Sequence, residues 1–416
     1  MILRKINVKY FIFLIIFLFI TIMSYFFCKQ NKNKVIKKDV KIIATLGHQG
    51  WKMIENYSKN GANIFRINGS HIKSSTDLHN LLAEVNNKLK KSNYKNTELM
   101  YDTQGPEIRV RIISNNDVKN VYYTIKQNDI IIVHTDLNSD EIVFKKDTNS
   151  NADEIKTIHI GVNYDNFVND VKVGSEITIE NRDIYAKVVK INKKQGIVEL
   201  KITEITTKDK EYKLTDRRHI NLLGAPVSQP TLTNADKEYI TTSVLAGVKY
   251  YAISFVRDEN DIIEVRNLIA NAFKSFEPSI KENKLKQKME KIKIIAKIET
   301  KQGLDNIEKI VQVADGAMVA RGDLSSEIPQ EEVPYAKEKI ISTCNKYGKF
   351  SILATNVLES LTYKNSASMN DIDVMATALQ LGVDALMLSN ETAIGERGVD
   401  AIREIKKHIE FYKKYS

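Results

Sequence analysis

The stretch KIKIIAKIETKQG, Lys291 to Gly303, carries two opposite charges at the end of an apolar strand. Alternation places Ile292, Ile294, Ala296 and Ile298 on one face and Ile295, Lys297 and Glu299 on the other. A strand covered on both faces does not hold unpartnered charge, because desolvation is too costly. Similar polar endings follow four other apolar runs: Arg66, Asn68 and Ser70; Asp102 and Thr103; Arg321, Gly322 and Asp323; and Thr355. Glu299 and Asp323 are hard oxygen donors suited to Mg²⁺, with water and substrate oxygens completing an octahedron. A surface acidic pair is the plain alternative. Lys297 beside such an ion stabilises negative charge on a small substrate, or serves only as a salt-bridge partner of Glu299. Arg66 and Arg109 offer the rigid donor fork that suits phosphate oxygens. The sequence has no GxxxxGK[ST] loop, which argues against a P-loop nucleotide site.

Those residues need elements to position them. Strand-like KIIATLG (41–47), ANIFRIN (62–68) and TELMYD (97–102) alternate with helical patterns near 51–59 and over 74–91. The alternation resumes with a helix over 233–247, with Thr233 as its expected cap. Further strands follow at 250–256, 293–299, 316–322, 350–355 and 384–392, with helices from about 258, from about 303, over 330–347, near 371–381 and near 399–413. Residues 112–210 hold only short β-rich runs. The count predicts an α/β fold, a TIM (β/α)8 barrel with an inserted all-β domain after strand 3; a doubly wound open sheet is the rival. The expected division is a leader over 1–39, the barrel over 40–111 and 211–416, and a β-barrel-like lid over 112–210. In a barrel the five polar endings converge on one mouth.

The chain has 416 residues, 43% hydrophobic and 27% charged, enough for a large core and more than one domain. Cys28 and Cys344 lie too far apart in sequence to suggest a disulfide framework or a zinc site. The net charge of +10 is uneven: residues 1–40 hold eight Lys/Arg against one Asp, and the remainder carries only +3. Nucleic acid is therefore not an expected partner. The charge-free run from Tyr10 to Phe27 lies between Arg4, Lys5, Lys9 and a second basic cluster. Its eighteen residues are just long enough to span a bilayer. An uncleaved membrane anchor over 10–27 is the expectation; a secretory signal, a buried helix or a non-targeting extension are the alternatives. Membrane-anchored localisation is accordingly expected ahead of secreted or cytoplasmic.

The series of motifs resembles pyruvate kinase from about Lys41 to Glu404. KIIATLG is similar to the family's first strand, GANIFRINGSH to its AGxNVxRxNxSH, and YDTQGPEIRV to its DTKGPEIR. KIIAKIETKQGLDNI, DGAMVARGDLSSEIPQEEVPYAKEKII, ILATNVLES and DALMLSNETAIGE extend the match. The resemblance implies phosphoryl transfer from phosphoenolpyruvate to ADP, giving pyruvate and ATP in glycolysis. It assigns Lys297 to the enolate, Arg66 to the transferring phosphate, and Glu299 and Asp323 to Mg²⁺. It assigns Asn68, Ser70, Asp102 and the Thr103 carbonyl to a monovalent cation, K⁺, with Glu107 near that site. Ala320, Arg321 and Gly322 shape the carboxylate pocket, and Thr355 faces pyruvate. Asn68, His71, Arg109 and Arg218 fall on the nucleotide side. The family's C-terminal domain would follow where this chain stops, at Ser416. Sugar-phosphate activation is therefore not expected, and a homodimer through the barrels is.

The chain departs from the family pattern at several positions. His48 stands for a proline, Gly69 for a large residue, Gln104 for a lysine, His219 for a glycine, Leu223 for a proline, Asn356 for a glutamine and Asn390 for a glycine. NSASM (365–369) stands for PTRAE at the start of the seventh helix. These changes keep open an alternative: a catalytically weak pyruvate-kinase-like paralogue acting as a membrane-tethered binding or scaffold protein.

Overall fold

The computed structural model describes residues 39–415 apart from 48–49, 92–96, 114–120, 139–154, 181 and 225–226. Three strands open the barrel: β1 (Lys41–Thr45), β2 (Ile64–Asn68) and β3 (Glu98–Asp102). The chain then leaves it through β4 (Val110–Arg111), β5 (Tyr122–Lys126), β6 (Ile130–His134), β7 (Thr157–Val162), β8 (Glu176–Ile179), β9 (Ile184–Asn192), β10 (Ile197–Ile205), β11 (Glu211–Thr215) and β12 (Ile220–Leu222). It returns with β13 (Tyr250–Ile253), β14 (Lys293–Ile298), β15 (Gly316–Ala320), β16 (Phe350–Ala354) and β17 (Ala385–Leu388). The eight barrel strands close in the order β1-β17-β16-β15-β14-β13-β3-β2, and the pairs are parallel. Closure rules out the doubly wound open sheet and bears out the predicted barrel with its β insertion after strand 3.

Alternation explains why the strands close. On β14, Ile295 joins Ile43, Ile64, Met100, Ala252, Met318 and Ile352 inside the barrel. Ile294, Ala296 and Ile298 face outward into the larger core under the helices. Parallel strands buried on both faces are nearly continuous apolar runs, as these are. The helices start where the sequence offers caps: Thr233, Asp258 and Ser368 each close a capping box. The inserted domain has its own apolar cluster. Its main sheet runs β12-β8-β9-β10-β6-β7-β4, and β11 pairs with β5.

All eight barrel strands are shorter than their patterns predict, 384–392 most of all at Ala385–Leu388, and two of the endings bear on the site. The run 250–256 leaves the sheet after Ile253, and Phe255 takes a left-handed φ of 55°. The run 316–322 stops at Ala320, and Arg321 already begins the helix Arg321–Glu327. In both cases the polar positions bend away from the barrel wall toward its mouth.

The membrane expectation is corrected. No helix among the described residues is long and apolar enough to cross a bilayer, so no described element supports a membrane anchor or a membrane-anchored location. Residues 10–27, on which that expectation rested, lie outside the described residues, as does His48.

Candidate active site

The mouth is built around Lys297, the fifth residue of β14. Its ammonium lies 3.0 Å from Asp102 Oδ1 and 2.9 Å from Glu299 Oε1, and donates to Ser254 Oγ at 2.6 Å. Arg66 on β2 donates from Nε to Asp102 Oδ2 at 2.6 Å and from Nη1 to Thr45 Oγ1 at 3.2 Å. Strand register sets this contact, since Asn68 pairs with Asp102 and Asp102 with Ala252. Asp102 is fully buried and Glu299 is 1% exposed. Glu299 Oε2 accepts from Phe255 N at 2.8 Å, and Asp323, in the first turn of the helix Arg321–Glu327, adds a second negative charge beside it.

The electrostatics follow from burial and neighbours. Burial opposes ionisation of Asp102, but Arg66 and Lys297 outweigh it and hold the carboxyl below the ordinary carboxylate range. Burial alone would lower Lys297; Asp102 and Glu299 overcome it and raise the ammonium instead. Lys297 is thus a fixed positive charge and not a base. Glu299 and Asp323 go the other way. Burial pushes both up; the Asp323 charge raises Glu299 further, the Glu107 and Asp102 charges raise Asp323, and Lys297 only partly offsets this. The mouth holds more buried negative charge than its two cations neutralise.

That imbalance fits a divalent cation. Two carboxylates at one mouth suit Mg²⁺, which takes few protein ligands and keeps water or substrate oxygens. Among the described residues no group of three or more His, Cys, Asp or Glu side chains comes together as a metal cluster. Asp102 Oδ1, fully buried, faces the Lys297 ammonium at 3.0 Å. Near it, Asn68 Oδ1 accepts from Ser70 N at 3.2 Å. Ser254 links to the Thr103 carbonyl at 2.7 Å and accepts from Lys297.

A second group forms at the ends of β15 and β16. Gly322 N donates to Thr355 Oγ1 at 3.2 Å, and Arg321 Nη2 donates to the Thr355 carbonyl. Burial lowers Arg321, with Glu391 partly restoring it. Thr355 and Asn356 both lie in the left-handed region, at φ 60° and 53°. Such residues cost about 1 kcal/mol or more each and persist where surrounding contacts hold them. Ala320 closes the strand behind them, 2% exposed.

The remaining expected residues lie apart from this centre. His71 is exposed at the end of the turn Gly69–His71. Arg109 holds Glu107 through Nε at 2.8 Å and the Arg217 carbonyl through Nη1 at 2.8 Å. Arg218 bonds Thr215 on β11 and, at 2.9 Å, Glu180 just after β8, both within the inserted β domain. A cleft of ≈ 350 Å³ is walled by Pro106, Ile108, Asn221, Leu222, Phe255 and Glu327. Lys297, Arg66 and Asp323 are not among its lining residues.

Several departures from the family pattern have local reasons. A Cβ at Gly69 would meet Tyr101 Oη at 2.6 Å and the Asp102 carbonyl at 2.7 Å. Glycine therefore lets the turn approach Tyr101. His219 forms an isolated antiparallel bridge with Arg109 and lies 3.8 Å from Glu107; burial holds its imidazole below the ordinary value. In the NSASM segment, Ser368 caps the helix Met369–Gln380, and Arg397 donates to Asn365 at 2.8 Å. Nothing in the structure explains Leu223 or Asn390.

The sequence reading missed Ser254, which anchors the Lys297 ammonium, and Phe255, whose backbone N–H engages Glu299. A serine and a phenylalanine inside an apolar run give no signal of a site. Gly105 offered a weak one. Its φ is 73°, and a Cβ there would meet Ser254 Cβ at 2.7 Å, so it packs the 103–105 loop against Ser254.

A family model described as "Pyruvate kinase, barrel domain" matches residues 37–402. Pyruvate kinase of Staphylococcus epidermidis is 32% identical over 371 residues, covering 89% of this chain and 56% of the relative. That of Staphylococcus aureus is 31% identical over 391 residues, covering 91% and 58%. The chain thus spans little more than half the length of these relatives. The crystal structure of a pyruvate kinase from Cryptosporidium parvum superposes with a TM-score of 0.75 at 26% identity, covering 91% of this chain and 70% of that one.

Proposed function

The chain belongs to the pyruvate kinase family, and on that premise we propose that it transfers the phosphoryl group of phosphoenolpyruvate to ADP. The observation that carries this reading is the buried Lys297 ammonium, held between Asp102 and Glu299 beside Arg66. A fixed cation in a water-poor site stabilises the enolate oxygen that develops as the phosphoryl group leaves. Arg66 contacts the transferring phosphate. Gly322, Thr355 and the backbone of Ala320 and Arg321 hold the substrate carboxylate. Asn68, His71, Arg109 and Arg218 serve the nucleotide, which the lid covers as it closes and excludes water.

Glu299 and Asp323 would hold Mg²⁺, and Asn68, Ser70, Asp102 and the Thr103 carbonyl would hold K⁺. Bound Mg²⁺ supplies Lewis-acid stabilisation of charge on phosphoryl and enolate oxygens. The uncompensated acidity of the carboxylate pair supports the first assignment, and the adjacent ends of β2 and β3, where Asn68 pairs with Asp102 and accepts from Ser70 N, support the second.

The assembly we propose is a homodimer through the barrels. Tyr335, Tyr363, Met369 and Ile394 follow three consecutive strands, β15 to β17, and are 66–75% exposed. A second copy of the chain would cover them. Met369→Glu should shift the sedimentation coefficient to that of a monomer; an unchanged dimer excludes this face.

The activity itself is tested by a lactate-coupled assay with Mg²⁺, with and without K⁺. Turnover no higher than that of a Lys297→Ala control rejects the proposal.

A further inference from the structure

The turn between β8 and β9 holds two residues other than glycine in the left-handed region, Glu180 at φ 49° and Arg182 at φ 71°. That region favours glycine, because a Cβ crowds the following carbonyl. Arg182 therefore sits where its own backbone is strained, and the lid's fold would be served better by glycine. Its side chain points elsewhere. Nη2 donates to the Ile328 carbonyl of the barrel at 2.6 Å. Nε is buried and makes no hydrogen bond.

Ile328 caps the C-terminus of the helix Arg321–Glu327. A guanidinium there meets the negative end of the peptide dipoles. The same helix carries Gly322 and Asp323 in its first turn. Asn221 on β12 adds a second contact to its end, donating to Glu327 at 3.4 Å. The mount of Arg182 is fixed within the lid. Glu180 N donates to the His219 carbonyl at 3.0 Å, Asp183 N to the Glu180 carbonyl at 2.8 Å, and Arg218 to the Glu180 carboxylate at 2.9 Å.

We propose that Arg182 is a positioning residue that latches the lid onto the helix bearing Asp323, so that lid closure fixes the metal and carboxylate side of the mouth. It touches no reacting atom. The strain at its backbone is offset by a contact that exists only across the boundary between lid and barrel. The kinetic consequence rests on the phosphotransferase reading; the latch itself can be measured without turnover.

The test compares the full chain with Arg182→Gly and Arg182→Lys. In Arg182→Gly, amide exchange over residues 321–328 should accelerate ~5-fold or more, as local opening becomes easier. The thermal midpoint should stay level or rise, because glycine relieves the turn. With phosphoenolpyruvate and ADP, kcat should fall ~10-fold with KM nearly unchanged. Arg182→Lys, which keeps the charge but not the planar fork, should recover part of the exchange protection. Unchanged exchange over 321–328 in Arg182→Gly overturns the latch. So does a lowered midpoint with faster exchange confined to the lid strands, which would make Arg182 part of the lid's own fold. A wild-type chain without turnover rejects the activity alone, and the exchange comparison still decides the latch.

Discussion

The two ends of the barrel use the same residue types for opposite purposes. At the base, Lys41 and Lys249 reach Glu98 at 2.9 and 3.1 Å, and Tyr250 adds its hydroxyl at 3.2 Å. Burial works against charge at both Lys41 and Glu98. Their hydrogen bonds prevail, so Lys41 is raised and Glu98 lowered. Two cations face one partly exposed anion, and the cluster is satisfied as it stands. At the mouth, two cations face the buried Asp102 and Glu299 and the half-buried Asp323. There Glu299 and Asp323 are raised, because burial is not fully compensated. The base has a positive surplus that its exposed lysines leave to water, and the mouth keeps buried negative charge that a ligand cation would answer. The difference is one of stoichiometry and dielectric.

The sharpest way to break the comparison is Lys297→Ala. It removes the cation that keeps Asp102 and Glu299 tolerable and the charge that would meet the enolate. Turnover in the coupled assay should fall ~10³-fold or to background.

Glu299→Gln should separate function from stability. Turnover should drop ~10²-fold and lose its Mg²⁺ dependence, while the metal-free protein gains about 1 kcal/mol in urea unfolding. Its pH profile carries the same sign. A carboxyl raised in the folded state binds more protons folded than unfolded, so its favourable share is present below the unfolded value and is lost as pH rises through the folded one. Glu327 marks the window: burial pushes it from 4.5 to about 7. Stability of the metal-free wild type should therefore fall as pH rises from about 4.5 to 7, less steeply in Glu299→Gln and less steeply with Mg²⁺. A profile identical in all three would remove the charge imbalance from the mouth.

Glu98→Gln is the matching change at the base and has the smallest expected effect. Stability should fall by about 1 kcal/mol or less, since the cluster is partly exposed, and turnover should stay within roughly twofold of wild type. A large kinetic loss there would erase the distinction between the two ends.

Alternation was enough to put Lys297 and Glu299 on the face of Ile295, and that face is the inside of the barrel. Apolar runs ending in polar groups were enough to nominate Arg66, Asp102 and Asp323. These inferences hold because a strand buried on both faces admits charge only where something answers it. Ser254, Phe255 and Arg182 were not legible. Their roles come from a backbone that turns left-handed at Phe255 and Arg182, and a single residue's φ leaves no periodic trace. The early end of β15 was hidden for a related reason, since VARG continues the strand pattern while Arg321 already turns into a helix.

The sequence by itself determined the eight strand–helix units, the β insertion after the third, and the residue types at each strand end, because these follow from periodicity and local chemistry. Tertiary structure alone decided which charges meet. Asp102 reaches Lys297 only because β3, β13 and β14 lie side by side in the closed sheet. The buried surplus of negative charge at the mouth, unlike the water-screened cluster at the base, arises from that closure, since the cost of a charge is set by what surrounds it and not by its place in the chain.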